Sequence, residues 1–292
     1  MNSATLPAQH PLIARLEAAA EVKRTRCGDG HMVWHVWGKG PNLVLLHGNL
    51  GSWQHWIRNI EFLSGHFRVI ATDIPGFGDS DMPPSPYSAQ SLGRIVADGI
   101  AELTGKTEPV NFAGFSFGSG VSAEAAHILG SRVDRLVLVS AGTKMEGVSR
   151  FDIPPFVRWR GLPQDQRDAA HRRNIEIMML AEPASIDDLA LRIQSENAAK
   201  ARLNIDLINQ GASHTKVTPH LKCKLAAIWG ERDSVIGPNM QQRTGWLQKH
   251  HPGARHIIIR GAREHNLRNI DLELPRNLSL IHISEPTRLR RI

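Results

Sequence analysis

The chain has 292 residues, 35 Lys+Arg against 28 Asp+Glu for a formal net charge of +7, and 41% hydrophobic residues. This composition suits a globular protein with a sizeable core and excludes a disordered or collagen-like chain. No run of about 18 apolar residues is present, which excludes a membrane-spanning helix. Two cysteines, Cys27 and Cys223, are too few for a disulfide framework. The first 22 residues lack a basic start followed by an apolar block, so a reducing, cytoplasmic setting is expected. The charge is uneven. Residues 258–292 hold seven Arg, no Lys and four acids, while every Trp, Phe and Tyr lies at or before Trp246. A nucleic-acid surface interleaves basic and aromatic residues, so no nucleic-acid partner is expected.

In chain order, residues 11–22 read as a short helix. Residues 22–27 and 31–37 read as a hairpin around Cys27-Gly28-Asp29-Gly30. The apolar runs 43–46, 67–73, 110–114 and 135–141 read as strands buried on both faces. Helical spacing over 53–63, 88–105 (Ser88 as cap, Gly105 as stop) and 117–130 alternates with them. This alternation predicts an α/β fold with a doubly wound, mostly parallel sheet. Residues 144–217 show helical spacing and no clear strand, too long for a plain connection, and read as an inserted helical cap. Strands over 224–230 and 254–259, around a helix over 239–250, resume the sheet. The expected organisation is core 1–143, cap 144–217, core 218–257 and a distinct tail 258–292.

Four loops at strand ends carry candidate chemistry. Gly114-Phe115-Ser116-Phe117-Gly118 is a G-x-S-x-G turn between strand and helix. It reads either as a glycine-rich packing turn or as an exposed serine nucleophile followed by the Phe117 N–H donor. The loop Leu46-His47-Gly48-Asn49-Leu50-Gly51 can aim a second N–H, from Asn49, at the same oxyanion; His47 is assigned a structural part. Asp73-Ile74-Pro75-Gly76-Phe77-Gly78-Asp79-Ser80 reads as a turn-rich loop. Asp233, after the strand 224–230, reads as a helix cap or as a carboxylate that orients an imidazole. No H-E-x-x-H or C-x-x-C spacing occurs, and His31 and His35 fall in a predicted strand, so neither metal nor cofactor is expected.

The segments LLHGNLGSW, ATDIPGFGDSD, GFSFGSG and WGERDSVIGP, in this order and spacing, resemble the α/β-hydrolase superfamily over about residues 20–257. The subgroup they resemble carries a helical lid and cleaves esters, lactones or carbon–carbon bonds of ring-fission products. The resemblance implies Ser116 as nucleophile, Asp233 as triad acid, and Asn49 with Phe117 as oxyanion hole. It also implies a small-molecule substrate. A serine at this turn argues against the dehalogenase and epoxide-hydrolase branches, which place Asp there. Phe151, Phe156, Trp159, Met178 and Met179 are candidate pocket walls, or ordinary lid core.

The family's base follows the last strand in a loop reading Gly-x-Gly-His. Here the segment is Arg260-Gly261-Ala262-Arg263-Glu264-His265, with Glu at the expected position and His265 one residue later. His265 is the candidate base; His250, His251 and His256 are the alternatives. Residues 257–277 resemble the N-terminal segment of the ATP-binding component of the excinuclease ABC family, without the phosphate-binding loop that follows it there. No ATPase activity is therefore implied. Residues 278–288 resemble a translated sequencing adapter, so the tail is expected to be the foreign end of a chimeric reading frame.

Overall fold

The structure, a computed structural model, describes residues 9–141, 154–180, 182–205, 208, 213–234, 239–260 and 271–273. Helix α1 (Pro11–Ala19) opens with Pro at its first position, where a missing N–H costs nothing, under the His10 side chain, which accepts from the Leu12 N–H. It stops earlier than the expected residue 22. Ala20 is already extended, and Glu21 pairs with Val36 in the hairpin of β1 (Glu21–Cys27) and β2 (Gly30–Trp37). The hairpin closes at Cys27 opposite Gly30, as expected from the sequence.

Strands β3 (Asn42–Leu46), β4 (Arg68–Asp73), β5 (Val110–Phe115), β6 (Val133–Val139), β7 (Lys224–Gly230), β8 (Arg255–Arg260) and β9 (Asp271–Glu273) complete a nine-stranded sheet. Its order is β1-β2-β4-β3-β5-β6-β7-β8-β9. The six strands from β4 to β8 are parallel, and antiparallel pairs flank them at both ends. The mostly parallel α/β architecture expected from the alternation is thus present.

Helices cover both faces. In β3, Val44 and Leu46 pack on the face shared with α3 (Ala89–Thr104) and α4 (Phe117–Leu129), whereas Leu43 and Leu45 pack toward α1 and α2 (Ile57–Ser64). That period-two division is why the run reads as uniformly apolar. Each such side chain taken from water contributes roughly 1.5–3 kcal/mol. Ser88 and Ser91 form a reciprocal capping box that starts α3, and Gly105, at φ +80°, ends it. Residues 53–63, expected as one helix, divide into a 3-10 turn (Trp53–Trp56) and α2. The Trp53 N–H is bound by the Asp73 carboxylate at 2.9 Å, which holds the entry to this segment against the end of β4.

Between β6 and β7 the described residues form α5 (Gln164–Met178), α6 (Asp188–Lys200) and the short α7 (Ser213–Val217), and no strand. Helices α5 and α6 pack together, while α7 packs on α4. Leu189 and Ile193 of α6 join the apolar cluster of α1 and α2. Arg58–Asp187 (2.6 Å) and Lys200–Asp79 (2.7 Å) also tie the ends of α6 to the core. Both pairs are exposed, so each is worth little beside the apolar contact. Helix α8 (Met240–His250) links β7 to β8.

Candidate active site at the carboxyl edge of the sheet

Parallel strands bring their carboxyl ends to one edge, and three loops there are held in strained backbone. Among the described residues, the non-glycine residues with positive φ are Leu50 (51°), Ser116 (49°) and Ser140 (48°). They follow β3, β5 and β6 respectively. Such conformations cost of order 1–3 kcal/mol each and persist where the surroundings over-determine them. At Ser116 those surroundings are visible. Its N–H donates to the Val139 carbonyl (2.8 Å), and its carbonyl accepts from the Ser119 N–H (3.0 Å). A Cβ on Gly118 would lie 2.7 Å from the Leu46 carbonyl oxygen and closer still to that of His47, so only glycine lets α4 start this near β3. The serine is left partly exposed at the start of α4. Phe117, the first residue of that helix, carries one of the N–H groups an α-helix leaves without an internal partner.

The loop after β3 abuts this turn. A Cβ on Gly48 would come within 3.4 Å of the Ser116 Cβ. Asn49 and Leu50 then face the cavity described below. His47 fixes the loop: its Nδ1 bonds the Gly48 carbonyl (2.7 Å), and its Nε2 accepts from the Ile74 N–H (2.9 Å). The second bond assigns the proton to Nδ1. Complete burial drives the His47 pKa down to about 3, with the neighbouring His55 adding to the effect. His47 is therefore a neutral structural residue, in keeping with the part expected of it. His55 carries no motif that marks it in the sequence. Its Nδ1 accepts from the Gly48 N–H (3.3 Å), its ring meets Phe115 edge-on, and burial lowers its pKa to about 4.

Asp73 is more than part of a turn-rich loop. Its carboxylate, 1% exposed, accepts from the N–H groups of Trp53 and Asp79, both at 2.9 Å. Burial raises its pKa to about 6, against the pull of those two bonds. Asp73 thereby ties the loop after β4 to the segment after β3. The signal available in the sequence is an acid at a strand end followed by Pro-Gly-x-Gly.

Asp233 stands three residues beyond β7, with its N–H bonded to the Gly230 carbonyl (3.1 Å), and it is half-buried. Strand β6 alone separates β7 from β5, so the Asp233 loop rises about 10 Å along the sheet from the Ser116 turn. The buried Arg243 on α8 (2% exposed) feels its charge: burial pulls the guanidinium below its ordinary pKa, and the attraction of Asp233 opposes that pull. Nothing in the local sequence marks Arg243, because the contact depends on how α8 returns along the sheet.

Chain direction separates the candidate histidines. His250 and His251 lie where α8 ends, before β8 begins, and His256 is the second residue of β8. All three are therefore toward the sheet edge opposite Ser116. His250 is further engaged with the Trp246 carbonyl (2.8 Å) and stacks on the Trp246 ring. His265, five residues past the end of β8, lies outside the described residues, as does Phe151.

A cavity of about 530 Å³ opens between the β3 loop and the inserted segment. Asn49 and Leu50 line it from the core, and Phe156, Trp159, Met178 and Met179, the candidate walls named above, line it from the other side. Among the described residues no group of three or more His, Cys, Asp or Glu could hold a metal ion, and no helix is long and apolar enough to cross a membrane.

Comparison with known proteins agrees with this architecture. The family model described as alpha/beta hydrolase fold matches residues 41–173. A pimeloyl-[acyl-carrier protein] methyl ester esterase of Pseudoalteromonas atlantica is 34% identical over 37% of this chain and 40% of its own length. A 2-hydroxy-6-oxononadienedioate/2-hydroxy-6-oxononatrienedioate hydrolase of Paraburkholderia phymatum is 25% identical over 70% of this chain and 75% of its own. The chain spans only 36–40% of the length of several curated relatives that it matches. Among solved structures, an esterase from Rhodococcus superposes with TM-score 0.66 at 22% identity, covering 82% of this chain and 90% of that one. A meta-cleavage product hydrolase from Pseudomonas fluorescens gives TM-score 0.62 at 22% identity, covering 82% and 89%. From its strand order, the turn at Ser116 and these likenesses together, the chain has the α/β-hydrolase fold.

Proposed function

We propose that this protein is a serine hydrolase that cleaves an ester, a lactone or an activated carbon–carbon bond of a small organic substrate. The observation that carries the reading is Ser116 at φ 49° immediately before α4, wedged against the Gly48-Asn49 loop. Such strain has no packing use that a glycine at the same position would not serve better. In the proposed reaction Ser116 Oγ attacks the carbonyl carbon while its proton passes to the His265 imidazole. Asp233 holds that imidazole in the right tautomer and stabilises its charged form. The N–H groups of Asn49 and Phe117 receive the oxyanion. For an ester the alcohol leaves with the proton from His265, and water then clears the acyl-enzyme. The names of the esterase and ring-fission relatives support this reaction class without choosing between the bond types. A panel of small esters and ring-fission products tests it. Turnover of at least one, lost in Ser116→Ala, is expected; turnover that survives Ser116→Ala would overturn the reading.

One observation favours a second reading, a hydrolase fold with impaired catalysis. Glu264 stands where the family's base is expected, in a tail whose composition departs from the rest of the chain. On that reading residues 258–292 replace the native segment in a chimeric frame. Sequencing the source DNA through codons 255–292 distinguishes the two: an uninterrupted native gene would remove the second reading.

A further inference from the structure

The cavity beside Asn49 is walled mainly by apolar side chains, yet its inserted-segment rim carries two arginines, Arg158 and Arg160, and among its described lining residues no acid. The two are not equivalent. Arg160 lies over the Trp159 ring at 5.3 Å and bonds the Ala201 carbonyl at 3.4 Å. Arg158 makes no ion pair among the described residues. The stretch of chain that carries it is anchored. Asn174, 6% exposed, accepts from the Val157 N–H (2.8 Å) and donates to the Val157 carbonyl (3.0 Å), which clamps the backbone next to Arg158 onto α5. Trp159 in turn packs on the buried His171 ring, 4.9 Å between centroids. Arg158 itself is exposed and has no ion-pair partner among the described residues, so at the mouth of this mainly apolar cavity its guanidinium is suited to a carboxylate at the far end of an apolar chain.

We infer that the preferred substrate is an anionic ester, a monoester of a medium-length dicarboxylic acid. Its scissile carbonyl sits by Ser116 and Asn49, its methylene chain lies along Phe156, Trp159 and Met178, and its free carboxylate is received by Arg158. This inference rests on the serine-hydrolase reading for its chemistry, and on the cavity alone for its anion selectivity. The two are tested separately. Hydrolysis of mono-p-nitrophenyl adipate and of p-nitrophenyl hexanoate, matched in chain length, is compared in the full chain, in Arg158→Gln and in Arg158→Lys. The expected result is a preference in kcat/KM for the anionic ester of about tenfold or more. It falls to near unity in Arg158→Gln, is partly kept in Arg158→Lys, and shrinks as salt is raised, the loss falling mainly on the anionic ester. Equal rates on the two esters, or a preference that Arg158→Gln retains, overturn it. Calorimetric titration with adipate gives the readout that does not depend on turnover. If neither ester is cleaved, the assignment of a dicarboxylic monoester as substrate fails, while adipate binding lost in Arg158→Gln still supports the anion site. Absence of adipate binding overturns that site.

Discussion

The two ends of the candidate site are built differently. Around Ser116, every constraint is internal: the Gly118 approach to the Leu46 and His47 carbonyls, the two ring-nitrogen bonds of His47, and the carboxylate of Asp73 gripping two backbone N–H groups. Around Asp233 the chain is looser, a half-buried acid in a turn whose neighbours Glu231 and Arg232 are exposed, with one buried arginine in electrostatic reach. The Ser116 end therefore tolerates little change in shape. The Asp233 end is a matter of which charges meet.

Removing the proposed nucleophile has the largest expected effect on rate. Ser116→Ala should lower ester hydrolysis by at least about 10³-fold while leaving the melting temperature unchanged or raised. Retained turnover would mean the tightly built end is not the reacting one. At the Asp233 end, His265→Ala and Asp233→Asn should each cost about 10²–10⁴-fold in kcat/KM. Asp233→Asn should also lower the melting temperature, because it weakens the compensation of the buried Arg243 charge. An unchanged rate in His265→Ala would show that His265 is not the base, whereas no turnover in the parent chain would favour the impaired-hydrolase reading. Gly118→Ala probes shape alone. The clash with two carbonyl oxygens should destabilise by about 3 kcal/mol, a melting shift of roughly 6–12 °C at this size, read by calorimetry.

The pH dependence of stability sharpens the same contrast at smaller effect. His47 titrates near 3 and His55 near 4 when folded, against an ordinary 6.5. The unfolded chain takes up these protons below 6.5 and the native chain does not. Stability present above about pH 6.5 is therefore lost as pH falls, by up to roughly 5 kcal/mol for His47. Asp73, raised to about 6, acts in the opposite sense, since between about pH 4 and 6 the folded state holds its proton more tightly. The net expectation is a melting temperature that declines from pH 7 to pH 4.5, more shallowly in His47→Asn. An identical slope in that variant would remove His47 as the source.

The same contrast explains how much is legible in the sequence. The Ser116 end is encoded in short stretches, an apolar strand, flanking glycines and a helix start, and such local patterns can be read directly. So can the structural part of His47, because a histidine inside a strand-end glycine turn has backbone groups to bind. Helix α1 is shorter than its spacing suggests because pairing of Glu21 with Val36 overrides helical propensity. Asp73 reads as a loop residue because its two N–H partners come from segments 6 and 20 residues away. Arg243 and Arg158 carry no local signal: one is placed by the packing of α8, the other by a cavity that only tertiary structure defines and whose described lining holds no acid.

The central claim is that the strained serine between β5 and α4 is the reacting group. Treatment of the full chain with a fluorophosphonate, followed by peptide mass spectrometry, tests it most directly. A single phosphonyl adduct on Ser116, lost in Ser116→Ala, is the expected result. An adduct on another residue, unchanged labelling of Ser116→Ala, or no labelling at all would contradict it.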